Sequence, residues 1–301
     1  MQIVLHLGVH KTASTYLQAV LEASRDGLRA EGIGYVTLKE MRSGITARVR
    51  RPGLLGMRLA MTARRLLEGH KDCRRLILSD ENISGGSREL IDGLFYSAAG
   101  KRAESLAKAL GSDDVRIMVA TRSYDSFVAS CYCEHLQHFP FLTPSEYLAA
   151  FDIACLDWSI LIADLCRRFG QEHVTVWRFE DFNDVEDEVL SAMAGDVAID
   201  WVKPSRPLRQ SLPQKAVDAL IALVPLLNRK EISRVLEPVS KALGEHGTPF
   251  RTYDDETARA LRARYDRNIE TLAHSFPRMR MIRRTSRAVE GVSDRRQRAG
   301  S

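Results

Sequence analysis

Five short runs, apolar almost throughout, punctuate the first 180 residues of this chain: 2–7, 33–37, 76–79, 115–121 and 174–177. Each is too short for a helix and ends in polar turn residues. Between them lie stretches with helical spacing. In 14–30 the apolar positions are Leu17, Val20, Leu21 and Leu28, and similar patterns occupy 104–110, 126–137 and 158–169. A strand without a polar face has to be covered on both sides, and strands alternating with helices do this by crossing over the sheet. The pattern therefore predicts an α/β fold, a doubly wound, mostly parallel sheet of about five strands with flanking helices. After residue 182 the spacing is helical, over roughly 185–194, 213–226, 228–244 and 255–274. The organisation expected is an α/β core over 1–182, a helical portion over 183–276 packed on the same domain, and a basic, disordered tail over 277–301. No internal repeat occurs at solenoid periods.

Composition narrows the function classes. Apolar residues make 45% and charged residues 28%, which excludes collagen, coiled coil and wholesale disorder. The longest apolar candidate, 216–227, contains Asp218 and Pro225, so no membrane-spanning helix is expected. Met1-Gln2 leads directly into the first run without a charged leader, and the five cysteines (Cys73, Cys131, Cys133, Cys155, Cys166) lack paired C-x-x-C spacing. Reduced thiols, no metal site and a cytoplasmic location are expected. The net charge of +5 is unevenly spread: residues 42–75 carry a basic surplus of eight and the tail a surplus of six, leaving the remainder at −9. Two basic segments on an acidic body point to an anionic partner, or to peripheral membrane contact through the tail, without specifying a nucleic acid.

The strongest local signal is His6-Leu-Gly-Val-His-Lys-Thr-Ala-Ser-Thr-Tyr-Leu-Gln18. A strand empties into a turn at Gly8, Lys11 follows, and Thr12, Ser14 and Thr15 come as a helix opens. Free N–H groups at a helix N-terminus attract an anion, and the lysine adds a full charge. It is not the triphosphatase loop G-x-x-x-x-G-K-[ST], since no glycine directly precedes Lys11. An N-capped helix after a strand would read the same way. The second signal is Arg122 at the end of the fourth run, with Ser130 eight residues later inside the next helix. Ligands of open parallel sheets bind at strand C-terminal ends, so both elements can face one crevice.

Together these stretches resemble the sulfotransferases that use 3′-phosphoadenosine 5′-phosphosulfate (PAPS), most closely bacterial members. Their 5′-phosphosulfate loop reads roughly P-K-T-G-T-T-x-L-Q, against His10-Lys-Thr-Ala-Ser-Thr-Tyr-Leu-Gln18, and their 3′-phosphate motif pairs an Arg with a Ser eight residues on. His10 and Ala13 depart from the usual Pro and Gly, and Tyr124 from a common Pro. The resemblance implies a P-loop-like fold and PAPS as co-substrate. In it Gly8, Lys11, Thr12, Ala13, Ser14 and Thr15 hold the 5′-phosphosulfate, and Arg122 and Ser130 hold the 3′-phosphate. A partial N-x-S-L match at Arg209-Gln210-Ser211-Leu212 adds Arg209 and Ser211 as nucleotide contacts, although a plain interdomain loop reads equally well. A similar S-x-E in bacterial members makes Glu81 the expected general base, with His10 its rival and Asp80 third; a carboxylate capping a turn would also suit Glu81. His135 and His138 are read as helix-end partners or acceptor contacts, and Glu180 as structural. The acceptor is a hydroxyl or amine of a small molecule, glycolipid or carbohydrate. The alternatives are a small-molecule P-loop kinase, with Asp80 serving Mg²⁺, and a nucleotide- or polyanion-binding protein without turnover.

Overall fold

The computed structural model describes residues 1–50, 54–86, 89, 93–150, 152–195, 197–204, 212–243 and 248–284. Six strands form one sheet in the order β2-β3-β1-β4-β5-β6: β1 Gln2–His6, β2 Ile33–Val36, β3 Arg75–Ser79, β4 Val115–Thr121, β5 Val174–Arg178 and β6 Arg280–Ile282. Every pairing is parallel. The helices are α1 Ser14–Ala23, α2 Arg25–Ala30, α3 Leu54–Gly69, α4 Ala99–Leu110, α5 Tyr124–His138, α6 Trp158–Phe169, α7 Phe182–Ala194, α8 Gln214–Ala222, α9 Arg229–Leu243 and α10 Asp255–Ser275, besides shorter turns.

Alternation along each strand divides the core into two layers. Ile3, Leu5, Leu76, Leu78, Ile117 and Val119 face one side, where they meet α4, α5 and α6. Val4, Ile77, Met118 and Ala120 face the other, where α1 and α7 cover them. Adjacent strands β1 and β4 therefore send their following helices, α1 and α5, to opposite faces. The crevice between those two strand ends is where such sheets bind ligands. The C-terminal helices close the first layer: Ile232 and Leu236 of α9 and Leu261, Tyr265, Ile269 and Leu272 of α10 join its buried cluster.

Two boundaries differ from expectation. The helix expected over 14–30 breaks at Ser24, whose hydroxyl accepts the Val202 N–H at 2.9 Å. The sheet has six strands, not about five, because β6 comes from the segment assigned to the tail. Its flanking arginines hid it. Arg280 and Arg284 turn out to pair with Glu188 and Asp184 on α7, while Ile282 is buried in the cluster that contains Trp177. Residues 285–301 lie outside the described residues.

Candidate active site

The loop after β1 is built on left-handed backbone. Gly8, Lys11 and Ala13 have φ of 48°, 66° and 64°, and the last two are non-glycine residues held where L-residues are strained. Gly8 has a steric reason as well: a Cβ there would stand 2.5 Å from Ser14 Oγ and 3.2 Å from Glu81 Cβ. The Thr12 hydroxyl donates to the Val9 carbonyl at 2.8 Å, and the His10 N–H donates to the Tyr96 hydroxyl at 3.0 Å. Those two bonds, together with Arg122 Nη1 donating to the Lys11 carbonyl at 2.5 Å, hold the strained turn in place.

Helix α1 opens from this loop without a side-chain cap. The N–H groups of Tyr16 and Leu17 return to the Ala13 carbonyl, whereas those of Ser14 and Thr15 find no acceptor among the described residues. Ser14 Oγ is buried and also without a partner. Open first-turn donors and an orphaned hydroxyl, on a loop that also carries the Lys11 ammonium, are groups an anion can use. The hydroxyl proton of Thr12, expected among the phosphate contacts, goes to the Val9 carbonyl, so its side chain also staples the loop.

Register places the other elements at the same edge. β1 lies between β3 and β4, with His6 opposite Ser79 on one side and Met118 on the other. Glu81 follows β3, in a turn capped by the Asp80 carboxylate on the Asn82 N–H. One Glu81 oxygen accepts from Arg42 at 2.8 Å, the other from Gln18 at 3.1 Å. Burial alone would raise its pKa. Its own backbone N–H, Gln18, His10 and Arg42 outweigh burial and hold the carboxyl below its usual range. Asp80 is fully buried under Thr46 and Asn82, and its pKa is raised, chiefly by burial.

His10 is 5% exposed and stacks on Tyr96. The Tyr96 hydroxyl accepts the His10 backbone N–H at 3.0 Å and lies 3.1 Å from His10 Nδ1, which ties the two side chains together beside the loop.

Arg122 projects from the end of β4. Its Nε donates to Ser126 at 3.0 Å and its guanidinium lies 4.3 Å from the Phe179 ring centroid. No carboxylate pairs with it among the described residues, and burial lowers its pKa. A partly buried cation without a counter-ion favours an anion. Beside it is a cavity of about 170 Å³ whose walls include Arg122, Ser126, Ser130, Phe250, Arg251 and Arg262. Arg122 and Ser130 are thus brought together, as the motif spacing suggested. Arg209 and Ser211 lie outside the described residues.

Two further candidates have internal partners. Glu180 is structural, accepting from the Ser123 N–H at 2.8 Å and the Tyr265 hydroxyl at 3.2 Å. His135 is buried and bonded to the Pro140 carbonyl. The described residues contain no group of metal ligands and no helix long and apolar enough to cross a membrane. Several arginines of the basic segment are committed internally, Arg42 on Asp80 and Glu81 and Arg50 on Glu89.

Sequence reading missed the layer under the loop. His6 bonds to Ser79 at 2.8 Å, Ser79 accepts from Gln18 at 3.3 Å, and Gln18 reaches Glu81. Burial drives the pKa of His6 down to about 4. It missed Glu134 too, although Ser126, Ser130 and Glu134 repeat every four residues along one face of α5.

No family model matches this chain, and no curated protein matches it. Among solved structures, a sulfotransferase from Alicyclobacillus acidocaldarius aligns with 79% of this chain and 96% of its own, at 18% identity and a TM-score of 0.40. At that similarity the assignment stands on the residues of this chain.

Proposed function

We propose that this protein transfers a sulfuryl group from PAPS to a hydroxyl or amine of its acceptor. The observation that carries the reading is the pairing of two anion sites at one switch point. An uncapped helix start with Lys11 and the orphaned Ser14 hydroxyl stands beside Arg122, whose guanidinium reaches the Lys11 carbonyl, and Ser130 lines the cavity next to Arg122. In this reading Ser14, Thr15 and Lys11 hold the 5′-phosphosulfate, and Arg122 with Ser130 holds the 3′-phosphate.

The chemistry is an in-line displacement. The bond between sulfur and the bridging oxygen breaks, and its electron pair stays on the 5′-phosphate beside Lys11. The acceptor oxygen bonds to sulfur, and its proton passes to Glu81. Positioning and preorganised charge carry such a reaction. Glu81 stays ionised at neutral pH, so it is always ready to receive a proton. The acceptor hydroxyl becomes acidic only as the bond to sulfur forms, and a weak base suffices at that stage. His10, the rival for that role, is tied through Nδ1 to the Tyr96 hydroxyl.

The kinase reading asks Asp80 to face a metal, yet that carboxylate is buried and held by Thr46 and Asn82. The two readings separate on one incubation. With sulfuryl-labelled PAPS and a metabolite extract, label is expected in an organic product heavier than its precursor by one SO₃ group. Phosphoryl transfer from ATP-Mg²⁺ in the same extract, with PAPS left intact, would overturn the proposal.

A further inference from the structure

Lys11 does not stand free in the crevice. Its ammonium lies 3.9 Å from Glu134 Oε2, with the two side chains only 16% and 12% exposed. At that distance neither group is well satisfied. Glu134 Oε2 is buried and has no hydrogen-bond partner among the described residues, and the 3.9 Å pair is the one salt bridge Lys11 makes there. A carboxylate is the wrong neighbour for a cation meant to receive a phosphosulfate, because every unit of charge it neutralises is unavailable to the incoming anion.

Its place on α5 explains why it is there. Ser126, Ser130 and Glu134 occupy successive turns of one helix face, so Glu134 stands one turn beyond Ser130. Among the described residues its one ion-pair partner is Lys11.

We propose that Glu134 is a positioning residue that parks Lys11. With no donor bound, it draws the ammonium along α5 and masks the loop against small anions. The donor, held by several sites at once, pays that cost and pulls Lys11 across; inorganic sulfate, held by the loop alone, does not. The inference rests on the anion-site reading of the loop above, and it names Lys11 as the moving part of that site.

The test is sulfate and 3′-phosphoadenosine 5′-phosphate binding, by calorimetry, to wild type, Glu134→Gln, Lys11→Gln and the double variant. Glu134→Gln should tighten sulfate binding by roughly tenfold, the scale of removing one competing charge at partly buried contact distance. In the Lys11→Gln background that gain should all but vanish, which a merely structural role or a bulk charge effect would not produce. Unchanged or weaker sulfate binding in Glu134→Gln, or the same gain without Lys11, would overturn the proposal. Glu134→Ala, with melting temperatures for all variants, separates a folding defect from a change in affinity. Tightening of sulfate without any preference for the 3′-phosphate would sustain parking while removing the sulfuryl-transfer reading.

Discussion

Replacing Lys11 by alanine is expected to lower turnover of PAPS by roughly 10²–10³, the scale of losing one preorganised charge donor at a developing oxyanion. Lys11 is the cation of the loop, and the neighbouring donors of α1 are neutral N–H and hydroxyl groups. The backbone consequence is small, because alanine at a left-handed φ of 66° carries the same strain as lysine, whereas glycine would relieve it and confuse the comparison. The substitution does leave Glu134 facing the crevice without its counter-ion. Lys11→Ala combined with Glu134→Gln removes that burden, and the double variant should melt at or above Lys11→Ala while remaining equally slow. Release of 3′-phosphoadenosine 5′-phosphate from PAPS measures the rate. Wild-type turnover by the folded variant would remove Lys11 from the chemistry.

Glu81→Gln is expected to cut turnover by about 10²–10⁴ while leaving nucleotide affinity almost intact, the range for losing a general base. Glutamine keeps the shape and an acceptor for Arg42 or Gln18, but it cannot take the acceptor's proton. The pH dependence follows from the sign of the shift. Because the folded carboxyl lies below its usual range, the base remains ionised into mildly acidic solution. The acid limb of the rate profile should therefore fall below the pH at which an ordinary glutamate titrates. The same depression means that the Glu81 contacts stabilise the fold above the unfolded carboxyl pKa, a contribution lost as pH falls through the folded value. Arg42→Gln should move the acid limb upward by removing one of the charges that depress it. Loss of nucleotide binding or of folding in Glu81→Gln would assign Glu81 to the turn alone.

Much of the sheet was legible because a strand with two buried faces leaves an uninterrupted apolar run, as 76–79 and 115–121 do. β6 was not, since three residues among arginines carry no such pattern, and its place depends on carboxylates of α7 nearly a hundred residues away. The loop was legible through Gly8, Lys11 and its hydroxyls. What each hydroxyl does was not: Thr12 and Ser14 look alike in sequence, yet one staples the turn and the other is buried without a partner. His6, Ser79 and Gln18 sit in separate elements and meet only through the parallel register of β1 and β3. Glu134 had a signal, the four-residue spacing from Ser126 and Ser130, but its meaning comes from Lys11 standing opposite.

The central claim is that one nucleotide spans both anion sites, and calorimetry of adenosine 3′,5′-bisphosphate against AMP tests it most directly. Both ligands can use the Lys11 loop; only the first also presents a phosphate to Arg122 and Ser130. Charge-assisted, partly buried hydrogen bonds of that kind should favour the bisphosphate by about 2–4 kcal/mol. Arg122→Ala should erase most of the difference while leaving AMP binding near its wild-type strength. Equal binding of the two nucleotides, with Arg122→Ala without effect on either, would contradict the account.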